Sequence, residues 1–375
     1  MKQNVYNSAL KDCVKFIEKS KEGYFDDDKP YIDGSGEESF DIEEDKIYPI
    51  TSCEDEHKLG FVDGGNGVVL KSADFNISLN RVAGVLFNSN KWAQLKKTPQ
   101  RIEFYSATVL DVLPNGRLVY KTRFFPVEQN FSNYLPNDNL IFPLNDPTIR
   151  QGFGLPNIET FGGVAMRFAE WTYARKFIDS ELDKGDVFVR DGSLQAGYTG
   201  ESILAENLYQ TAINNDVIVT GLSKTCRLIT GTGNSLNSAI NYFGNKKFPD
   251  VAWYFHPIYR ITKAQEKADL YFVKLHKNSV YSFRFDILLD QAKNMSQEEC
   301  DIIISNLANN SNDLSYPGYP YGLIKVDQMA AVGIRELELQ KIQILAEFDP
   351  HNYESFILPR LRSVDAHSIL NIIRK

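Results

Sequence analysis

The order of strand-like and helix-like segments is the feature that most constrains the fold of this 375-residue chain. Two β-rich hairpins come first: one spans residues 59–70 around the glycine-rich run 63–67, and the other spans residues 102–125 around Asn115-Gly116. Asn-Gly tolerates the positive φ angles of a type I′ turn, so a tight turn is predicted in the second hairpin. Strands and helices then alternate. Antiparallel hairpins followed by such alternation predict an α/β fold with a mixed sheet flanked by helices.

The spacing of apolar residues locates the later elements, because a period of 3.6 indicates a helix and alternation or a short apolar run indicates a strand. Helices are expected at residues 164–182, 202–214, 297–309 and 323–348. Strands are expected at residues 186–190, 217–220, 252–258, 270–275 and 280–287. The sequence contains no internal repeat, so one domain is expected over residues 57–375.

Residues 1–56 differ in composition from the rest of the chain. Apolar residues at helical spacing predict an amphipathic helix over residues 8–21, which we expect to contact a partner protein. Residues 22–46 hold eleven acids and two lysines, which predicts a mobile acidic arm. The rest of the chain has 39 basic and 38 acidic residues, so the net charge of −8 is local. The acidic balance therefore does not exclude nucleic acid, and we expect the arm to stay clear of a nucleic-acid cleft or to occupy it until a partner moves it.

The sequence predicts a cytoplasmic protein. No apolar run approaches the ~20 residues that a membrane helix needs. The four cysteines lie far apart without a CxxC pair, which favours neither a disulfide framework nor a zinc site. The charged N-terminus is not followed by the apolar segment of a secretion signal.

Two apolar runs each lead into an aspartate followed by glycine: Phe61-Val62-Asp63-Gly64 and Val189-Arg190-Asp191-Gly192. A carboxylate at the end of a strand is held by the rigid sheet, while the glycine lets the chain turn away and leaves room for a ligand. Asp-Gly is also a common turn dipeptide, and a single copy would favour that interpretation. Two copies with the same apolar lead-in indicate two carboxylates placed to hold a divalent cation.

Two further acids complete a candidate site. Glu170 lies at the edge of the apolar face of a predicted helix, and Asp327 lies among apolar neighbours near the start of the last long helix. A buried lone carboxylate is costly, so such a residue needs a partner or a metal. Asp63, Glu170, Asp191 and Asp327 form an all-oxygen ligand set, which suits Mn²⁺ or Mg²⁺ and not zinc. Two such ions would support phosphodiester cleavage on an RNase H-like sheet.

Seven motifs, in order from about residue 57 to residue 345, resemble the NurA nuclease family. The motifs are FVDGG at Asp63, the glutamate-bearing helix at Glu170, VFVRDGSL at Asp191, VTGLSKT at Lys224, DLYFVKLH at Lys274, FRFD at Arg284 and PGYPYGLIKVDQMA at Asp327.

The resemblance implies an RNase H-like fold and a Mn²⁺-dependent 5′-to-3′ DNA exonuclease that also cuts single strands. It implies a homodimer that acts with a HerA-type hexameric ATPase in DNA end processing, in repair or in defence against foreign DNA. By position, Asp63, Glu170 and Asp191 correspond to the metal-binding acids of the family, with Glu159 or Glu181 as alternatives to Glu170. Many archaeal relatives carry a histidine where this chain has Asp327, which would still bind a metal.

Basic and aromatic residues near these motifs are candidate DNA contacts. Lys224 follows a predicted strand, and its ammonium would offset charge on a scissile phosphate. Lys274 and Arg284 are expected to contact DNA, and Tyr319 and Tyr321 are expected to stack on a splayed base. Lys224 and Lys274 would otherwise be surface lysines, and at least one tyrosine would otherwise pack against the following helix.

Two other functions compete with a nuclease. The run Gly231–Ser235 is glycine-rich but lacks the ending and the strand-to-helix frame of a P-loop, so we expect a flexible loop near the site and no ATPase from this motif. A sugar-kinase-like ATPase would also use paired Asp-Gly turns, and nucleotide binding would distinguish it. A weakly active or inactive docking subunit of the hexameric ATPase would have no use for a cluster of unpaired carboxylates.

Overall fold

The computed structural model describes residues 2–21, 29–31, 36–53, 56–88, 91–150, 152 and 154–363. The strands in this part of the chain are β1 (Glu37–Ser39), β2 (Ile47–Pro49), β3 (Lys58–Lys71), β4 (Phe75–Asn88), β5 (Lys91–Ala93), β6 (Arg101–Val112), β7 (Leu118–Pro126), β8 (Leu140–Pro143), β9 (Val187–Asp191), β10 (Ile218–Ser223), β11 (Trp253–Lys263), β12 (Glu266–Lys274) and β13 (Phe283–Leu288). The α-helices are α1 (Lys2–Ser20), α2 (Thr160–Glu181), α3 (Glu201–Asn214), α4 (Leu236–Lys247), α5 (Leu289–Ala292), α6 (Gln297–Asn309), α7 (Tyr321–Ala330), α8 (Ile334–Glu347) and α9 (Pro350–Asn352).

All the strands belong to one mixed sheet with the order β1-β11-β12-β13-β10-β9-β3-β4-β6-β7-β8, in which β2 also pairs with β11 and β5 with β4. Strands β3, β9 and β10 are parallel neighbours, while β3, β4 and β6 form an antiparallel meander. The antiparallel strands β3, β4 and β6, with β9 and β10 added in parallel beside β3, form the core of an RNase H-like fold. The predicted fold class, a mixed sheet flanked by helices with additional antiparallel hairpins, is confirmed.

Alternating side chains on the central strands supply the cores on both faces of the sheet. On one face, Val62 and Phe188 pack with α2 and α3. On the other face, Phe61 and Val189 pack with α6 and α7. Two neighbouring residues of one strand therefore serve different layers, and a residue two positions along returns to the same layer.

The first predicted hairpin is wrong, because residues 58–71 form the single strand β3, which pairs along its length with β4. The glycines in it serve close packing and not a turn. A Cβ on Gly64 would lie 2.1 Å from Met166 Sδ of α2, and a Cβ on Gly65 would lie 2.2 Å from the carbonyl oxygen of Ala330 in α7. Helices thus approach β3 from both faces at positions where a side chain would keep them away.

The second hairpin is confirmed as β6 and β7, but its turn differs from the predicted type I′. Gly116 N–H donates to Leu113 O at 2.8 Å, so Pro114 and Asn115 are the central residues of the turn. Gly116 has φ +78°, whereas Asn115 is not among the residues with positive φ. Proline favours this arrangement because its ring sets φ near −65°, the value that the first central residue of an ordinary turn requires.

The helix predicted over residues 323–348 is two helices, α7 and α8, because Arg81 of β4 stabilises a break between them. Its Nη1 donates to Ala331 O at 2.7 Å, just beyond α7, and its guanidinium also forms an ion pair with Glu336 of α8. Its Nε pairs with Glu103 at 2.5 Å. A nearly buried guanidinium whose donors are taken up in this way fixes both helices to the sheet.

The N-terminal segment is only partly described, and its described part differs from the expected mobile arm. Strands β1 and β2 pair with β11 at one end of the sheet. The carboxylate of Glu37 forms an ion pair with Lys263 and accepts a hydrogen bond from the Tyr259 hydroxyl. Residues 22–28 and 32–35 of the expected arm lie outside the described residues. In the described part of the chain, no helix has the length and apolar character needed to cross a bilayer.

Candidate metal centre

Asp63 and Asp191 occupy adjacent positions on neighbouring parallel strands. The register of β3 against β9 places Val62 opposite Arg190, so the next residue on each strand is an aspartate. Both aspartates face the layer that holds α7, because each lies two positions beyond a residue packed in that layer. Asp191 ends β9 as expected, whereas Asp63 lies inside a longer strand and not at a strand end.

Helix α7 brings Asp327 to the same place because it lies directly on β3. A Cβ on Gly322 would lie 2.2 Å from the ring of Phe61, so this helix position tolerates only glycine. Further along α7, the carbonyl of Ala330 fills the space that a side chain on Gly65 would need. These two close contacts fix α7 along the strand and hold Asp327, which lies between them, over the aspartates of the sheet.

Asp63, Asp191 and Asp327 each place one carboxylate oxygen within 4.8 Å of the other two. The side chain of Asp191 is 9% exposed and that of Asp327 is 58% exposed, so the cluster opens to solvent on the α7 side. The Gly64 N–H donates to Asp63 Oδ1 at 2.8 Å and orients that carboxylate. Three oxygen ligands at these separations, with one open side, can hold a hard divalent cation.

Crowding of negative charge perturbs the protonation of the cluster. Burial, followed by repulsion from Asp191 and Glu170, raises the pKa of Asp63 to about 8. Burial also raises the pKa of Asp191, against the opposing hydrogen bond from Lys224. Without a cation, the arrangement therefore disfavours ionisation of these carboxylates.

Lys224, directly after β10, lies in the cluster as predicted. Its Nζ is 2.8 Å from Asp191 Oδ2 and 3.2 Å from Asp327 Oδ1. Burial would lower the pKa of Lys224, but the two carboxylates outweigh that effect and raise it. The side chain is 45% exposed, so the ammonium bridges two acids at the mouth of the site.

Glu170 does not join the three aspartates. It approaches β3 from the α2 side of the sheet, and its Oε1 accepts a hydrogen bond from Arg190 Nε at 2.7 Å. Both side chains are nearly fully buried, and the Arg190 guanidinium also lies 4.3 Å from the centre of the Trp171 ring. Burial raises the pKa of Glu170, with Arg190 opposing the shift. The residue before Asp191 therefore neutralises the glutamate that was expected to bind metal.

The alternative glutamates are also engaged elsewhere. Glu159 forms an ion pair with Lys71 at 2.6 Å. Glu181 is buried and accepts hydrogen bonds from the backbone N–H groups of residues 96–98. Neither belongs to the carboxylate cluster found among the described residues.

Two of the predicted DNA contacts are buried structural residues. Lys274 is 3% exposed and donates to Asn245 Oδ1 at 2.8 Å. Arg284 is 9% exposed and forms ion pairs with Asp286, at 2.7 Å, and with Glu266. Strand patterns cannot separate a cation that faces solvent from one that is buried against a carboxylate two residues away. Neither residue is placed to meet a phosphate.

The two predicted stacking tyrosines also pack inward. Tyr319 is 4% exposed, and its hydroxyl lies 3.4 Å from both carboxylate oxygens of Asp191. Tyr321 packs edge-on against the ring of Phe87, with centroids 5.9 Å apart. Two exposed aromatic residues that line a cavity with Lys224 and Asp327 are instead Tyr281 and Tyr316, which sequence reasoning missed. The run Tyr316–Tyr321, rich in tyrosine, proline and glycine, was the available signal for Tyr316, but it did not indicate which of its tyrosines points outward.

The glycine-rich run at residues 231–235 lies against the N-terminal segment. Gly231 N–H donates to Lys29 O at 2.8 Å, and Gly233 O accepts from Lys21 Nζ at 2.9 Å. The Ser235 hydroxyl accepts from Ser238 N–H and caps α4, a helix that was not predicted. This run is the connection into α4 and not a phosphate loop.

The strand order and the three facing aspartates define the class of this protein: an RNase H-like α/β protein with a carboxylate cluster on its central strands. Its fold is similar to that of the NurA nuclease from Sulfolobus solfataricus, with a TM-score of 0.54 and 13% sequence identity over 92% of this chain and 97% of that chain. A second structure, of NurA, has a TM-score of 0.46 and 7% identity over 94% of this chain and 99% of that chain. No protein-family model and no curated protein matches the sequence. The NurA-like fold that the motifs predicted is confirmed.

Proposed function

We propose that this chain is a NurA-type, metal-dependent DNA nuclease. The observation that carries the proposal is the meeting of Asp63, Asp191 and Asp327 on an RNase H-like sheet. Asp63 and Asp191 lie on two strands and Asp327 lies on a helix. Asp191 is 128 positions after Asp63, and Asp327 is 136 positions after Asp191, so the fold alone brings them together. A buried group of like charges is unfavourable for stability, which favours a functional role.

The donor set fits a divalent cation. Its ligands are carboxylate oxygens, which suit Mn²⁺ or Mg²⁺, and the raised pKa values of Asp63 and Asp191 reflect repulsion and burial that a cation would relieve. We assign Asp63, Asp191 and Asp327 as the residues that would hold one or two such ions. When bound, the ions would activate water and stabilise charge on the phosphodiester.

Other residues of the site would orient the substrate and the ligands. Lys224 reaches solvent at the mouth of the cluster, and its ammonium would donate a hydrogen bond to a phosphate oxygen in place of Asp327. Tyr319 supports Asp191 through its hydroxyl. Glu170 Oε1 is taken up by Arg190, so we assign the Glu170–Arg190 pair to positioning of β9.

The finer features of the proposal follow from the NurA resemblance. They are 5′-to-3′ exonuclease and single-strand endonuclease activity, a homodimer, cytoplasmic location, and action with a HerA-type hexameric ATPase in DNA end processing, repair or anti-phage defence. Helix α1 supports a partner contact, because Leu10, Phe16 and Ile17 are each more than 60% exposed on it. Removal of residues 1–21 is expected to weaken assembly with the ATPase more than cleavage.

The test is degradation of end-labelled linear DNA, single-stranded and double-stranded, in Mn²⁺, in Mg²⁺ and in EDTA, with and without the ATPase. We expect cleavage that needs a metal and is lost in Asp63→Asn and Asp191→Asn. The matched control Asp138→Asn changes an exposed aspartate far along the sheet and should cleave normally. Intact DNA under every condition, with folded protein, would refute the nuclease and leave the docking-subunit alternative, which α1 favours.

A further inference from the structure

An aromatic cavity extends from the candidate metal centre to the surface. Its volume is about 510 Å³. Lys224 and Asp327 are among its lining residues, so it borders the carboxylate cluster. The remaining lining residues are Tyr281, Phe283, Ser315, Tyr316, Tyr319 and Ile324.

Tyr281 and Tyr316 form a stacked pair of exposed rings in the lining of this cavity. Their rings are parallel to within 9°, with centroids 6.1 Å apart. Their exposed fractions are 55% and 42%, although both belong to a residue type that usually buries most of its ring. Behind them, Tyr319 packs edge-on against Tyr316 with centroids 6.0 Å apart, and its hydroxyl reaches Asp191. Aromatic contacts therefore run without a break from solvent to the acid cluster.

The two tyrosines are held in place by turns that lock together. Gly318 has φ +95°, and a Cβ there would lie 2.6 Å from Ser279 Cβ, so the turn after Tyr316 fits only with glycine. Ser279 Oγ in turn donates to Tyr281 O at 3.0 Å and accepts from Tyr281 N–H at 3.2 Å. The surface formed by Tyr281 and Tyr316 is therefore preformed, which lowers the entropy lost on binding.

We propose that Tyr281 and Tyr316 form a stacking platform for an unpaired nucleobase of a single-stranded segment, next to a phosphate that Lys224 and cations bound by the carboxylate cluster would hold. The inference rests on the proposed function for the identity of that phosphate. Aromatic faces stack with any base, and among the described residues that line this cavity there is no side-chain amide or guanidinium group that would read a base edge. The platform therefore selects for an unpaired strand and not for a sequence. A duplex end must open before its terminal base reaches the platform.

The experiment measures binding without cleavage. Single-stranded oligonucleotides carrying one 2-aminopurine are titrated with the full chain in EDTA, following anisotropy and 2-aminopurine fluorescence. We expect Tyr281→Ala/Tyr316→Ala to bind about 5- to 160-fold more weakly, because stacking contributes ~1–3 kcal/mol per base. The matched control Tyr281→Phe/Tyr316→Phe keeps both rings and should retain affinity and quenching. An abasic residue in place of 2-aminopurine should weaken binding to the wild-type chain but not to the alanine variant.

The outcomes separate this inference from the nuclease proposal. Loss of binding in the alanine variant and its rescue by phenylalanine support the platform even if no DNA is cleaved in any metal. Equal affinity and equal fluorescence for the wild-type chain and the alanine variant overturn the platform even if cleavage is normal. Failure of the wild-type chain to bind any single strand also overturns it. Equal melting temperatures of the variants show that the comparison concerns binding and not folding.

Discussion

Asp63→Asn should stabilise the metal-free protein while abolishing cleavage. The Asp63 carboxyl has a pKa of about 8 in the folded chain, against an ordinary value of 3.8, because it is buried beside Asp191 and Glu170. Folding raises the pKa of this carboxyl, so the folded chain holds the proton more tightly than the unfolded chain does. The group costs no stability while both states are protonated, and it costs stability once the unfolded chain ionises. Stability is therefore lost as the pH rises from about 4 to about 8, and it is constant above that.

The size of the effect follows from the pKa difference. Each pKa unit corresponds to ~1.4 kcal/mol, so at pH 7 the ionisation of the unfolded chain lowers wild-type stability by up to about 4 kcal/mol. We expect about 2 kcal/mol, because relaxation and water entry reduce the penalty of a buried charge. Asparagine has nearly the same shape and no proton to lose. The variant should therefore unfold at a temperature a few degrees above that of the wild-type chain.

Thermal unfolding in EDTA from pH 5 to pH 9 tests this expectation, with Asp138→Asn as an exposed control. The stability difference between Asp63→Asn and wild type should grow by up to ~1.4 kcal/mol per pH unit and level off near pH 8. Added Mn²⁺ should stabilise the wild-type chain more than the variant, because bound ligand favours the folded state by mass action. A variant that melts at or below wild type at pH 8 without metal would refute the proposed crowding of charge at Asp63.

Three further predictions concern the cation and the supports of the site. Mn²⁺ should bind more tightly at pH 8.5 than at pH 6.5, and its binding should release protons, because the raised pKa values of Asp63 and Asp191 keep these ligands protonated at lower pH. Calorimetry in buffers of different ionisation enthalpy would measure the released protons. Binding that does not depend on pH would contradict the prediction. Gly65→Ala should destabilise the fold by ~1–3 kcal/mol and weaken metal binding, because the added Cβ meets the Ala330 carbonyl. The control Gly154→Ala adds a Cβ in open space and should change neither property. Denaturant unfolding and Mn²⁺ titration measure the two effects. Arg190→Ala should destabilise the fold by ~3–5 kcal/mol in denaturant unfolding, because it leaves Glu170 buried without its partner. If Glu170→Gln loses as much stability as Arg190→Ala, the charge of the pair does not matter and this reasoning is wrong.

Much of the local structure could be predicted from the sequence. The period of apolar residues located α2, α3 and α6 and the later strands, and Asn115-Gly116 located the second hairpin. These signals work because helix and strand periodicity, and the conformational preferences of asparagine, proline and glycine, depend on residues close in sequence. The two Asp-Gly dipeptides indicated Asp63 and Asp191 for a related reason, since each follows an apolar run in the sequence. Asp327, in the motif PGYPYGLIKVDQMA, was found through the family resemblance and through its apolar neighbours.

Other features depended on which surfaces meet. The glycines of β3 are compatible with either a turn or an extended strand, and the choice was made by α2 and α7 packing against them from opposite faces. Glu170 was expected to bind metal because its helix pattern does not show the buried Arg190 that pairs with it. Lys274 and Arg284 could be charged surface residues by pattern, yet each is itself buried and bonded to a side chain of this chain.

By itself, the sequence determined the types of element, the mixed α/β class and the aspartates that carry the candidate site. Only the tertiary structure decided that Asp327 joins Asp63 and Asp191, that Glu170 is neutralised by Arg190, and that Tyr281 and Tyr316 form one surface. The physical reason is the range of the interactions. Periodicity and turn preferences act within a few residues, whereas burial, ion pairing and close packing act between residues tens to hundreds of positions apart that meet only once the sheet has formed.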